Sequence, residues 1–247
     1  MSLRKLLNKG LCHFRLELRR LPHAIRPTVD AQEAFSSKGA QSFTKYHIGC
    51  GSILAKGFLN VDDAPLANHY DFREHNIYEA QEMPGAFILK HDLSKGIPAH
   101  SESLQRIYHS HFFEHLNRDQ GVQFLKDCFR SLESGGVMRF ALPDFRLWCT
   151  NYVNGNNTFF DWYRVNFLPE HEHHYHTPAQ IFTGMLYNHG HQMAYDFESL
   201  SWLLTKIGFK DIAVGQWGSS PYFDELDSLE SADSDRKFES LIIECCK

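Results

Sequence analysis

From Lys45 onward, short apolar runs alternate with longer stretches in which apolar residues recur every three or four positions. The runs at 46–49, 58–62, 86–91, 105–109 and 137–142 read as five strands. Each gives way to a glycine, an acid, a polar residue or, at Pro143, a residue that ends a ladder. Between the fourth and fifth, Val122, Leu125, Phe129 and Leu132 share one helical face, which predicts a helix over 118–133. Asn117 suits its N-cap, and Gly135-Gly136 its stop. Farther on, Leu200, Leu203 and Leu204 predict a helix over 197–207, capped by Asp196 and ended by Gly208. Strands at 212–214 and 241–243 follow. The stretch between them carries Asp224, Glu225, Asp227, Glu230, Asp233 and Asp235, and reads as a solvated acidic loop.

Strands alternating with helices predict an α/β domain over 45–247, with a mostly parallel sheet covered on both faces. The last two strands lack an intervening helix, which predicts an antiparallel hairpin at one edge. Residues 1–44 read as a helix and a linker. There Leu3, Leu7, Leu11, Phe14 and Leu18 form a stripe, with bases on the other faces, and Pro22 and Pro27 end it. Two readings of residues 2–20 stand: a peripheral contact with an anionic membrane, or packing on the domain's own surface. Arg4, Lys5 and Lys9 break the apolar run that a signal peptide needs.

Composition narrows the classes further. The chain has 247 residues, is 43% hydrophobic and carries a net charge of -5. That is enough apolar mass for a core, and too little positive charge for a globally basic nucleic-acid binder. No apolar stretch reaches the ~18–20 residues of a membrane span. The six cysteines form no CxxC pair, so neither a zinc ribbon nor a disulfide scaffold is expected, and a reducing, cytoplasmic setting is.

In open parallel sheets, ligands bind at the carboxyl ends of the strands. The polar residues there are Gly49-Cys50-Gly51, Asp62, Asp92, Ser110-His111 and Asp144. Gly49-x-Gly51 makes a tight turn that a ligand can approach closely, or simply a structural turn. It is not the dinucleotide fingerprint, because Leu54 stands where the third glycine belongs, and no P-loop motif occurs. Asp62, at the end of the second strand, suits a ribose diol, or a turn.

Together, Tyr46-His47-Ile48-Gly49-Cys50-Gly51, Leu59-Asn60-Val61-Asp62, His91-Asp92-Leu93, residues 107–116, residues 132–136 and Leu142-Pro143-Asp144 resemble class I S-adenosylmethionine-dependent methyltransferases. More narrowly, they resemble the small bacterial enzymes of polysaccharide and glycan gene clusters. The resemblance covers about residues 45–145 and 196–247. It implies a Rossmann-like seven-stranded sheet with a reversed last strand. It also implies that His47, Gly49, Cys50 and Gly51 cradle the methionine part of S-adenosylmethionine and that Asp62 holds the ribose. Asp92 and Leu93 would meet adenine, and Ser110 would lie beneath the methyl. The chain departs from most of the superfamily in the short segment between Gly51 and Asp62, which cannot hold a full helix.

A hydroxyl acceptor needs a base, and histidine suits that task. His111 comes first and His115 second, each with a packing role as the alternative. Asp144 would orient substrate or base, or cap a helix. Residues 145–195, rich in aromatics and histidine, are placed as a lid. Aromatic faces suit a sugar or glycan acceptor and suit a core equally. The run Glu170-His171-Glu172-His173-His174-Tyr175-His176, with His189 and His191, matches no strong zinc spacing, and no metal is expected. The rival function is a catalytically silent nucleoside- or partner-binding module on the same fold.

Overall fold

The structure is a computed structural model and describes residues 43–63, 77–80, 83–168 and 175–247. The predicted N-terminal helix, its membrane contact at 2–20, and residues 170–174 of the histidine run lie outside the described residues. Among the described residues, eight strands form one sheet: β1 (Lys45–Ile48), β2 (Leu59–Asp62), β3 (Ile77–Glu79), β4 (Phe87–Lys90), β5 (Leu104–Ser110), β6 (Leu132–Pro143), β7 (Lys210–Val214) and β8 (Ser240–Cys246). Their order is β3-β4-β2-β1-β5-β6-β8-β7. The central five are parallel. β8 runs antiparallel to both β6 and β7, so the expected hairpin is present. The mostly parallel, Rossmann-like α/β class expected from the sequence is the class observed. The eighth strand, β3, pairs antiparallel with β4 at the far edge. Three residues are too few to show a period in sequence, and it was not expected.

The helices are α1 (Arg118–Ser131), α2 (Phe145–Val153), α3 (Asn157–Phe167), α4 (Pro178–Tyr187), α5 (Phe197–Ile207) and the single turn α6 (Leu226–Leu229). Asn117 caps α1 in a reciprocal box with Gln120. That helix ends at Ser131, short of the glycines, because Leu132 already pairs with Leu104 in the sheet. Asp196 caps α5 with Ser199, and Gly208 ends it at φ 120°.

One sheet face packs Ile48, Val61, Ile107 and Phe140 against Leu125 and Cys128 of α1 and Leu200 and Leu204 of α5. Among the described residues, the other face is covered by Phe223, Leu226 and Leu229 of the β7–β8 connection, which lie over Phe58, Tyr108 and Val137. This connection is more than a solvated acidic loop. Its Glu230 is 1% exposed and pairs with the fully buried Arg139 of β6. The region 145–195 has its own core, built from Trp148, Phe160, Tyr163, Leu168, Ile181 and Met185. Most of its aromatics therefore pack on one another.

Candidate functional site

The strand order reverses between β1 and β5. From β1 the chain lays down β2 and β4 on one side, then crosses to place β5 on the other. Such a switch point opens a crevice beyond the strand ends. Gly49-Cys50-Gly51 stands at the end of β1, and Ser110-His111 at the end of β5.

The glycine turn is tied to its neighbour. The N–H groups of Gly49 and Cys50 donate to the Val61 carbonyl at 2.8 and 3.3 Å. The Gly51 N–H donates to Asp62 Oδ2 at 2.8 Å. The bend and the acid are thus brought together. The two glycines differ, however. A Cβ on Gly49 would stand 2.5 Å from the Phe112 ring, whereas one on Gly51 would meet nothing within 4 Å. Gly49 allows a close approach inside the fold, and Gly51 turns bare backbone toward open space. Both have left-handed φ, 64° and 51°.

Two sequence-predicted cradle residues lie inward instead. His47 is 2% exposed, its Nδ1 pairs with Asn60 Oδ1 at 3.1 Å, and it packs edge-on to Tyr108. Burial holds this imidazole down at about 4. It points into the sheet face because β1 alternates Tyr46 and Ile48 to one side and His47 to the other. The Cys50 thiol is also buried, and burial, with Asp62 adding, raises its pKa well above the ordinary value. At β4, the Asp92 carboxylate caps a short turn by accepting from Ser94 N–H at 3.0 Å. Leu93 packs partly against the main core. Asp144 caps α2 by accepting from the N–H groups of Arg146 and Leu147, which is the capping role the sequence left open.

Beyond β5, His111 adopts φ 48°, a strained value for a side-chain-bearing residue. Its Nε2 lies 2.8 Å from Ser240 Oγ. Its Nδ1 lies 3.3 Å from Glu114 Oε1 and 3.4 Å from Arg236 Nη1. A carboxylate only accepts and a guanidinium only donates, so the tautomer decides which of them Nδ1 serves. The Ser240 hydroxyl suits either. Arg236 also pairs with Glu239 and lies 4.5 Å over the Phe167 ring, which joins the 145–195 region to the strand ends.

Sequence reasoning passed over Glu114. It is 2% exposed and surrounded by His111, His115 and His191. Burial works to raise its carboxyl, but the nearby imidazoles, His111 first and then His115 and His191, prevail and bring it to about 2. Burial lowers His191 to about 4 against the pull of Glu114. The sequence did carry one signal, a glutamate directly beside His115. Nothing local announced that it is buried.

No family model matches the sequence, and no curated protein matches it. Solved structures with a related outline include a SAM-dependent methyltransferase from Archaeoglobus fulgidus, with 13% identity and a TM-score of 0.44, covering 99% of this chain and 94% of that one. Another is a SAM-dependent methyltransferase from Thermotoga maritima, with 15% identity and a TM-score of 0.43, covering 99% and 97%. A third is phosphoethanolamine N-methyltransferase 2 from Haemonchus contortus, with 14% identity and a TM-score of 0.42, covering 82% and 48%. Likenesses this loose carry no chemistry over to this chain, whose function has to be read from its own site.

Proposed function

We propose that this chain is an S-adenosylmethionine-dependent methyltransferase acting on an oxygen of a sugar or glycan-linked acceptor. One observation carries the reading: at the strand-order switch, the open Gly51 backbone and the Asp62 carboxylate are bonded to each other at 2.8 Å. A bare backbone bend suits the amino-acid end of the cofactor, and a carboxylate on the next strand suits the ribose diol. Asp92 and Leu93 are assigned to the adenine side, and Ser110 to the floor beneath the methyl. His47 and Cys50 serve from inside, by holding the turn, rather than by touching the ligand. The bound cofactor supplies a methyl already activated for in-line displacement. The chain's own task is to orient the acceptor and take its proton. His111 is assigned as that base, with His115 second. Tyr152 and Tyr187, which stay 45% and 75% exposed, are the ring faces left for a sugar.

The five described cysteines are free thiols, which supports a cytoplasmic setting. Residues 2–20 are proposed to touch an anionic membrane. Among the described residues, no helix is long and apolar enough to cross one.

Calorimetry with S-adenosylmethionine and S-adenosylhomocysteine tests the reading. Both should bind the intact chain, and Asp62→Ala should weaken both by about 10–100-fold, the loss expected of a charge-assisted hydrogen bond. No binding, or binding indifferent to Asp62→Ala, removes the reading. Binding without methyl transfer to any sugar acceptor leaves the silent module, which the engagement of both His111 nitrogens favours. If His111 is the base, His111→Ala lowers turnover with little change in cofactor affinity, whereas Ser240→Ala, which frees Nε2, does not lower it.

A further inference from the structure

We propose that Glu114, His115 and His191 form a binding site for one divalent transition-metal ion with zinc-like ligand preference. One ligand atom from each residue lies within 4.8 Å of the others. Nε2 of His115 and Nε2 of His191 each stand 4.0 Å from Glu114 Oε1. Ligand atoms ~2.0–2.2 Å from a tetrahedral zinc ion lie about 3.3–3.6 Å apart, so a contraction of about 0.5–1.5 Å by side-chain rotation brings these three onto an ion.

The buried polar groups point the same way. Both Glu114 oxygens are buried without a hydrogen-bond partner, although His111 Nδ1 stands 3.3 Å from one of them. An ion pair with His111 alone would still leave Oε2 unserved. A buried carboxylate without partners is costly, and an ion would remove that cost. Glu114 and His191 also line a small, partly enclosed cavity of about 10 Å³, room for roughly one water-sized ligand beside them.

The supporting groups resemble those of a built metal site. His191 Nδ1 donates to the Met185 carbonyl at 2.6 Å, which leaves Nε2 bare and aimed at Glu114. Metal-binding histidines are commonly fixed through such an outer bond. The His191 segment is also pinned to its partners: Gln192 N and Met193 N donate to the Glu114 carbonyl at 2.9 and 3.2 Å. The Gln192 side chain donates to the His115 carbonyl at 2.9 Å. Two imidazoles and one carboxylate suit zinc, cobalt or nickel far better than magnesium or calcium, which prefer oxygen ligands throughout.

The test uses the full chain, stripped with a chelator and titrated with Co²⁺, whose visible absorption reports nitrogen and oxygen ligation, and with Zn²⁺ in competition. His171, His173, His174 and His176 can chelate on their own account, so a variant with all four changed to glutamine is titrated in parallel. One Co²⁺ per chain should bind in both proteins and raise the melting temperature. Glu114→Gln and His191→Gln should each weaken binding at least about 100-fold. If Glu114→Gln does not fold, His115→Gln at a 26% exposed side chain replaces it and should give the same loss. No Co²⁺ spectrum, binding lost in the four-histidine variant, or binding that survives changes at both His115 and His191 overturns the site. The readout is metal binding itself, so its failure leaves the methyltransferase reading untouched.

Discussion

Gly49 and Gly51 share a left-handed backbone but not an environment. At Gly49 an alanine would meet both the strained φ and the Phe112 ring at 2.5 Å, so Gly49→Ala should cost about 2–5 kcal/mol of stability. At Gly51 only the φ matters, and Gly51→Ala should cost about 1–2 kcal/mol. Ligand binding should rank the other way: calorimetry with S-adenosylhomocysteine on the folded proteins should show the larger loss in Gly51→Ala. No loss in Gly51→Ala would mean that this glycine does not face the ligand. The Gly-x-Gly pair was legible in the sequence, but the difference between its members was not, because Phe112, which meets Gly49, comes from the segment after β5, far along the chain. The burial of His47 was hidden for a related reason. Strand alternation sets which face a residue takes, but both faces of this sheet are covered, so parity alone gave no sign that the ring is buried.

At the scale of elements, the strands were legible where apolar runs of four or more met a glycine or an acid. The caps at Asn117 and Asp196 were legible because each carries a partner three residues on. The β7–β8 connection was not. Its acids look alike in sequence, yet only long-range pairing distinguishes Glu230, which meets Arg139 from a strand far earlier in the chain. Arg139 donates to Glu230 at 2.7 and 2.6 Å, to Glu244 at 2.8 Å and to the Gln216 carbonyl at 2.7 Å. These bonds tie the connection to β6 and β8 over a face where no long helix lies among the described residues. Arg139→Met strands two buried carboxylates and should cost about 3–5 kcal/mol in urea denaturation. Adding Glu230→Leu to that variant should recover part of the loss, because the stranded charge is then gone. A further loss in the double variant would show instead that packing, not charge, holds this segment.

For the molecule as a whole, buried titratable groups shape how it meets acid, among them two histidines on opposite faces of the sheet. His109 is wholly buried, stacked on Phe140 with centroids 4.7 Å apart, and neither ring nitrogen has a hydrogen-bond partner. Burial lowers its pKa to about 3, with Glu114 opposing and His47 adding. His47 stands at about 4. In the unfolded chain both return to near 6.5. As pH falls below about 6.5, the unfolded chain takes up protons that the folded chain refuses. Stability therefore drops with falling pH, by up to about 1.4 kcal/mol per pH unit for each histidine. The His47 part of that loss ends near pH 4 and the His109 part near pH 3. His109→Phe keeps the aromatic contacts and gives up no hydrogen bond. It should flatten the dependence between pH 6 and pH 4 by about one proton, measured as urea midpoints at stepped pH, even if the slightly larger ring lowers stability at pH 7. A slope unchanged by His109→Phe would mean that the folded sheet admits a proton at this position, and the ring would then need a partner that its aromatic surroundings do not offer.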